Sequence, residues 1–171
     1  MLELMLVVAI IAILATLAAP SFQRLILSST VSNTVNTFLA DMRFARSESI
    51  RRGGGVVMCR SAAPEDALPA CSTEGSNGWA SGWIVFQDLN HDGVTASAAA
   101  LLRVQSPITS IQTILESDGN FTQFKFTATG RVPAAGTALV FGGANFDGDV
   151  KRRVCIASTG RTRIAASSAT C

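Results

Sequence analysis

The residues best suited to chemistry lie at the C-terminal end. From Lys151 onward the chain has five cations (Lys151, Arg152, Arg153, Arg161, Arg163) and no acid. The whole chain is only +2, so the preceding residues are net −3 and the basic character is local. Strand-like runs flank Ser158-Thr159-Gly160, which reads as a tight turn. Alternation puts Arg161 and Arg163 on one side of their strand and Lys151 and Arg153 on one side of its partner. One face of such a hairpin can gather four cations. Guanidinium forks match phosphate oxygens, so a phosphodiester backbone is a fitting ligand. No aromatic residue interleaves with them, so base stacking and sequence readout are not indicated. The same pattern also suits contact with a neighbouring subunit, or a solvated basic strand.

Other constellations give less. Asp88-Leu89-Asn90-His91-Asp92-Gly93 matches the opening of a calcium loop, with oxygens at alternate positions. An EF-hand needs a glutamate at the twelfth position, where this chain has Ala99, and no helical pattern flanks the loop. A hairpin turn shaped by Asx side chains and glycine is the better reading, with His91 a solvated turn residue. The four cysteines form no CxxC pair, and the single histidine has none close in sequence, so no metal site is expected. With one His, no Tyr, no nucleophile-and-base motif and no phosphate loop, neither an enzyme nor a cofactor is expected. An even cysteine count beside an apolar N-terminus points to an oxidising compartment. Of the three possible pairings, Cys59–Cys71 and Cys155–Cys171 are favoured because each closes a short local loop. The second would hold the basic face rigid and lower the entropy lost on binding.

These features need a scaffold. From Leu4 to Ala19 the only polar side chain is Thr16, whose hydroxyl can bond back to its own helix. This run is slightly short for a membrane span, and it has one acid, Glu3, near its start. A cleaved signal peptide is disfavoured, because no Lys or Arg precedes Arg24. Instead the helical pattern continues past Pro20. Val31, Val35, Phe38, Met42 and Ala45 recur at three- and four-residue steps, while Arg43, Arg46, Glu48 and Arg51 lie largely off that stripe. Gly53-Gly54-Gly55 then ends the helix.

The remainder is long enough to bury its own core. Strands are expected at Val56–Cys59, Gly82–Gln87, Leu101–Gln105, Ile111–Leu115, Phe121–Thr127, Ala138–Phe141, Arg152–Ala157 and Arg163–Ala166. Within Phe121–Thr127, Phe124 and Phe126 should face the core, with Phe121 at the strand end. Residues 60–78 read as loop. The fold class is therefore α+β. Residues 1–24 form the apolar half of a long helix, 25–52 its amphipathic half packed on the domain, and 53–171 a globular domain of antiparallel sheets.

Leu2-Glu3-Leu4-Met5, then Val7-Val8-Ala9-Ile10-Ile11-Ala12-Ile13-Leu14-Ala15, with proline seventeen residues after the glutamate, resembles the start of a type IV pilin or pseudopilin. The segment from Gly82 to Gly93, Gly130-Arg131 and the final Cys-to-Gly-Arg stretch resemble the FimT/GspH-type minor pilins. The resemblance implies that a leader and two mature residues precede Met1, removed or exposed by a prepilin peptidase acting on the precursor. It also implies that Glu3 neutralises the N-terminal amine of a neighbouring subunit, relieving the cost of a carboxylate in hydrocarbon. A single pass of the bacterial inner membrane, a periplasmic domain and later incorporation among major and minor pilins follow. Gly160-Arg161-Thr162-Arg163 matches the G-R-x-R motif of FimT-like pilins that bind DNA during natural transformation. That motif together with the cations of the hairpin makes Lys151, Arg152, Arg153, Gly160, Arg161 and Arg163 the residues expected to contact DNA. The alternative is a structural subunit: a FimU-like pilus-priming protein or a GspH-like pseudopilin of type II secretion.

Overall fold

A computed structural model describes residues 2–90, 97, 100–117, 121–133, 136–144 and 146–171, with backbone alone at 2 and 15–20. One helix, α1, runs from Leu2 to Arg52 through Pro20. Its halves meet different surroundings. Leu4, Ile11 and Ile13 are 70%, 59% and 62% exposed, whereas Val31, Val35, Phe38, Leu39, Met42 and Ala45 are buried. The sequence stripe is thus the packed face, and Leu39 joins it. Among the described residues no helix is long and apolar enough to cross a membrane.

Gly53 stops the helix in the left-handed region (φ 76°), and the Gly54 N–H donates back to the Ser49 carbonyl at 2.7 Å. That closes the last turn as a Schellman cap, using the conformation glycine adopts most cheaply. At this end Glu48 accepts from Arg51 Nη2 (2.5 Å) and Arg52 Nε (2.7 Å). These two hydrogen bonds, Arg51's first, hold the Glu48 carboxyl below its ordinary value, and the bond to Glu48 raises Arg51.

Among the described residues, eight antiparallel strands form two sheets. They are β1 (Val56–Arg60), β2 (Trp83–Gln87), β3 (Leu101–Gln105), β4 (Thr113–Glu116), β5 (Gln123–Phe126), β6 (Thr137–Gly142), β7 (Arg152–Ile156) and β8 (Thr162–Ala166). The first sheet has the order β3-β2-β1-β5 and the second β4-β6-β7-β8. The expected strands are all present. Four are shortened: β2 starts at Trp83, β4 starts at Thr113, β7 ends at Ile156, and β5 excludes Phe121, which packs at its end against the core.

In the first sheet Met58 pairs with both Val85 and Phe124, so these side chains share the face towards α1. Val57, Cys59, Ile84 and Phe86 form a separate buried cluster on the opposite face, with Cys71 and Leu101 packed on it. The Cys59–Cys71 bridge brings Cys71 there. Burial on both faces explains why β1 and β2 read as unbroken apolar runs rather than alternating ones.

Phe38 of α1 sits at the junction of the two sheets. Its ring meets Trp79, Trp83 and Phe141 edge-on at 5.6, 5.4 and 5.5 Å between centroids, with Phe124 at 6.5 Å. Both indoles are satisfied by carboxylates. Trp83 Nε1 donates to Asp41 Oδ2 (2.8 Å), while Arg103 holds the other Asp41 oxygen. Trp79 Nε1 donates to Glu116 Oε1 (3.0 Å), and the buried Arg60 lies 3.8 Å from the same oxygen. The aromatic core therefore has no stranded indole N–H.

Candidate nucleic-acid interface

The basic hairpin is built as the strand alternation requires. β7 and β8 pair Arg153 with Ala165, Val154 with Ile164 and Cys155 with Arg163. Residues directly opposite share a face, so Arg153, Cys155 and Arg163 point outward together. Val154 and Ile156 point into the core. Lys151 lies against Gly142, on the outward side of β6, and Arg161 continues the Arg163 side at the turn. Arg152, grouped with these residues on sequence, points to the other face. Its Nη1 donates to the carbonyls of Asp149 (2.5 Å) and Lys151 (3.0 Å). Alternation along a single strand explains the split: three consecutive cations cannot share one face.

The outward face also carries the end of the chain. Cys155 is bridged to Cys171, which folds the tail back over β7 and β8. Arg153 Nε donates to the Ser167 carbonyl (3.1 Å), Arg163 Nη2 to that of Thr170 (3.2 Å), and Ser167 Oγ to that of Gly148 (2.8 Å). Each guanidinium has five donors, so these single bonds orient the forks and leave most donors available. An open recess of about 480 Å³ lies beside them, lined by Arg161, Arg163, Ser158 and the Cys155–Cys171 bridge.

The turn explains its glycine. The Gly160 N–H donates to the Ala157 carbonyl (2.8 Å), the Ala157 N–H to that of Arg161 (2.9 Å), and Gly160 has φ 74°. An added Cβ would strike the Gly130 carbonyl oxygen. Gly160 is thus a packing and backbone requirement that places Arg161, rather than a ligand-contacting residue.

Charge changes along the hairpin. At its open end lie Asp147 and Asp149, both facing Arg24 of α1 (3.9 and 2.9 Å). At the turn end, Arg161 is exposed, and among the described residues its guanidinium has no hydrogen-bond or ion-pair partner. Arg131 shares this state and was not among the residues singled out as ligands. A signal for it exists in the sequence: Thr127-Ala128-Thr129-Gly130-Arg131 repeats the pattern of Ala157-Ser158-Thr159-Gly160-Arg161.

The remaining sequence candidates separate from this site. Asp88 is buried, its N–H donating to the Gly55 carbonyl (2.6 Å), and Asn90 is exposed. His91, Asp92 and Gly93 lie outside the described residues. Among those described, no group of three or more His, Cys, Asp or Glu is placed to hold a metal ion. Glu3 is exposed in the first turn of α1, far along the chain from the hairpin.

Comparison with known proteins gives the family. The family profile "Type II transport protein GspH" matches residues 34–160. A comparison with curated proteins returned no significant match. Two crystal structures of the type IV minor pilin FimU from Pseudomonas aeruginosa strain PAO1 are similar in fold. The first, in space group P21, has a TM-score of 0.59 at 20% identity and covers 86% of this chain and 93% of FimU. The second, in space group P65, has a TM-score of 0.56 at 20% identity and covers 82% and 94%. With a profile matched over most of its length, this chain belongs to the GspH family of minor pilins and pseudopilins, whose members are subunits of pili or pseudopili.

Proposed function

We propose that this protein is a minor pilin that binds the DNA backbone without sequence preference, through its C-terminal hairpin, during DNA uptake in natural transformation. The observation that supports this reading is the shared outward face of Arg153 and Arg163, continued by Arg161 and Lys151. Forks oriented on a disulfide-tied ribbon lose little entropy on meeting phosphates. Counterion release supplies the affinity, so binding is steeply salt-dependent. Before assembly the apolar half of α1 sits in the inner membrane with the domain in the periplasm, after a prepilin peptidase has processed the precursor. In the fibre, Glu3 neutralises the terminal amine of a neighbouring pilin.

The test is a titration of labelled DNA of unrelated sequences against a soluble form starting at Ser21. That form retains the whole core, whose helical part starts at Val31. Arg161→Ala and Arg163→Ala should weaken binding alike on every sequence. A double variant that binds as well as the parent at low salt would sink the reading.

A second reading is a purely structural subunit, FimU-like or GspH-like, favoured by the family match and the FimU fold. It predicts that deletion stops fibre assembly or secretion while the isolated protein ignores DNA. Loss of DNA uptake with pili intact would exclude it.

A further inference from the structure

The two Thr-Gly-Arg segments have the same backbone construction. In the first, the Gly130 N–H donates to the Thr127 carbonyl (2.8 Å) and the Thr127 N–H to that of Arg131 (2.9 Å), with Gly130 at φ 70°. These values repeat those of the Ala157–Arg161 turn within 0.1 Å and a few degrees. The turns are also seated against each other: the Val132 N–H donates to the Ser158 carbonyl (3.0 Å), and Gly160 lies on the Gly130 carbonyl. Arg46 of α1 runs beneath both. A Cβ on Gly130 would come within 2.9 Å of Arg46 Cγ and Nε, and one on Gly160 within 3.6 Å of its Cδ.

Three guanidinium-bearing residues from three separate elements thus converge at the turn end of the hairpin. Among the described residues none of the Arg46, Arg131 and Arg161 guanidinium groups has an ion-pair or hydrogen-bond partner. Carboxylates gather at the opposite end, at Asp147 and Asp149. The turns differ in one polar detail. Thr127 Oγ1 accepts the Arg131 N–H (3.1 Å), while Ala157 in the equivalent place offers no hydroxyl, leaving the Arg161 amide without that bond. An anion lying over the second turn can be met by the Arg161 amide as well as by its side chain.

We infer that the paired turns form a second phosphate seat, Arg131 and Arg161 flanking it with Arg46 between them, so that a bound DNA backbone runs from the outward face of β8 across both turns towards α1. This rests on the DNA-binding reading and extends it to residues outside the hairpin. Cationic residues on adjoining turns, with no ion-pair partner among the described residues, favour a polyanion, because each unneutralised cation raises the local potential that a phosphate chain relieves. Only tertiary packing creates this seat, since Arg131 and Arg161 are 30 positions apart in sequence.

The experiment measures affinity for duplex DNA of unrelated sequences over a salt series, with full-length protein in detergent and with the form from Ser21. Arg131→Gln should weaken binding about three- to tenfold on every sequence and flatten the log K against log salt slope by about 0.9. Arg131→Lys should restore the slope. Arg24→Ala, at the acidic end, should leave it unchanged. Arg131 is exposed and its side chain has no partner among the described residues, so an unaltered melting curve for Arg131→Gln is expected. A parental slope for Arg131→Gln, with Arg161→Ala impaired, overturns the second seat and leaves the hairpin reading standing. Parental slopes for both overturn the two together. Equal losses for Arg24→Ala and Arg131→Gln also overturn the seat, by showing that only diffuse charge matters. Normal DNA binding by Arg131→Gln with defective pilin association would assign the turns to a subunit contact instead.

Discussion

The two sheets are each four antiparallel strands closed by one short-range disulfide, yet they serve different ends. In the first sheet the two central strands, β1 and β2, are buried on both faces, and Cys59–Cys71 lies within an apolar cluster. In the second, the inner face joins the core through Phe141, Val154 and Ile156, while the outer face carries Arg153, Arg163 and the tail held by Cys155–Cys171. The difference lies in what covers the outer face. A long loop returns through its bridge to the first sheet. The second receives only the last few residues, whose carbonyls orient cations instead of excluding water. Both sheets contribute inner faces to the core around α1, and the charged outer surface is an attribute of the second.

The comparison can be broken most severely at Phe38, which touches both sheets. Phe38→Ala should cost about 3–5 kcal/mol, read as a lowered denaturant midpoint at unchanged slope. Weakened DNA binding beyond the unfolded fraction would show that the second sheet's surface depends on core packing more closely than proposed here. The bridges come next. Removing either closes off about 3 kcal/mol of loop-entropy stabilisation, given sequence separations of 12 and 16. Cys59→Ser with Cys71→Ser should lower the melting temperature and spare DNA affinity. Cys155→Ser with Cys171→Ser should reduce both, because the tail no longer orients Arg153 and Arg163. Equal effects on binding would erase the contrast between the sheets. Asp41→Ala should cost about 2 kcal/mol in chemical denaturation, since it strands the buried Trp83 indole while Arg103 can turn to water.

The smallest effect belongs to Glu48, outside both sheets. Its folded carboxyl titrates below the ordinary 4.5 because Arg51 and Arg52 hydrogen-bond the ionised form. Its contribution is present above the unfolded value, and it is lost as pH falls through the lowered folded value. A carboxyl NMR titration should give a midpoint below 4.5 in the parent and an ordinary one in the Arg51→Ala, Arg52→Ala double variant. Identical midpoints would refute the pairing.

Much of this was legible in the residues themselves. The helical stripe from Val31 to Ala45 was visible because a packed helix face repeats at three- and four-residue steps. The hairpin face was visible because the strand repeat is two. Arg152, between Lys151 and Arg153, turns to the other face as the same repeat requires, and its guanidinium bonds the Asp149 and Lys151 carbonyls. Arg131 was not recognised as a neighbour of Arg161, since nothing local joins β5 to the β7–β8 turn. Even the duplicated Thr-Gly-Arg pattern says only that two turns are alike, without saying that they touch.

Composition and spacing by themselves determined an α+β chain with a long helix, a local excess of C-terminal cations and a set of short strands. These depend on interactions within a few residues, where backbone geometry dictates periodicity. Tertiary structure decided which sheet is sealed and which is left open, and which cations face solvent together. It also decided that Gly130 and Gly160 interlock above Arg46. Those outcomes depend on long-range packing of α1 against both sheets, and no local repeat encodes that.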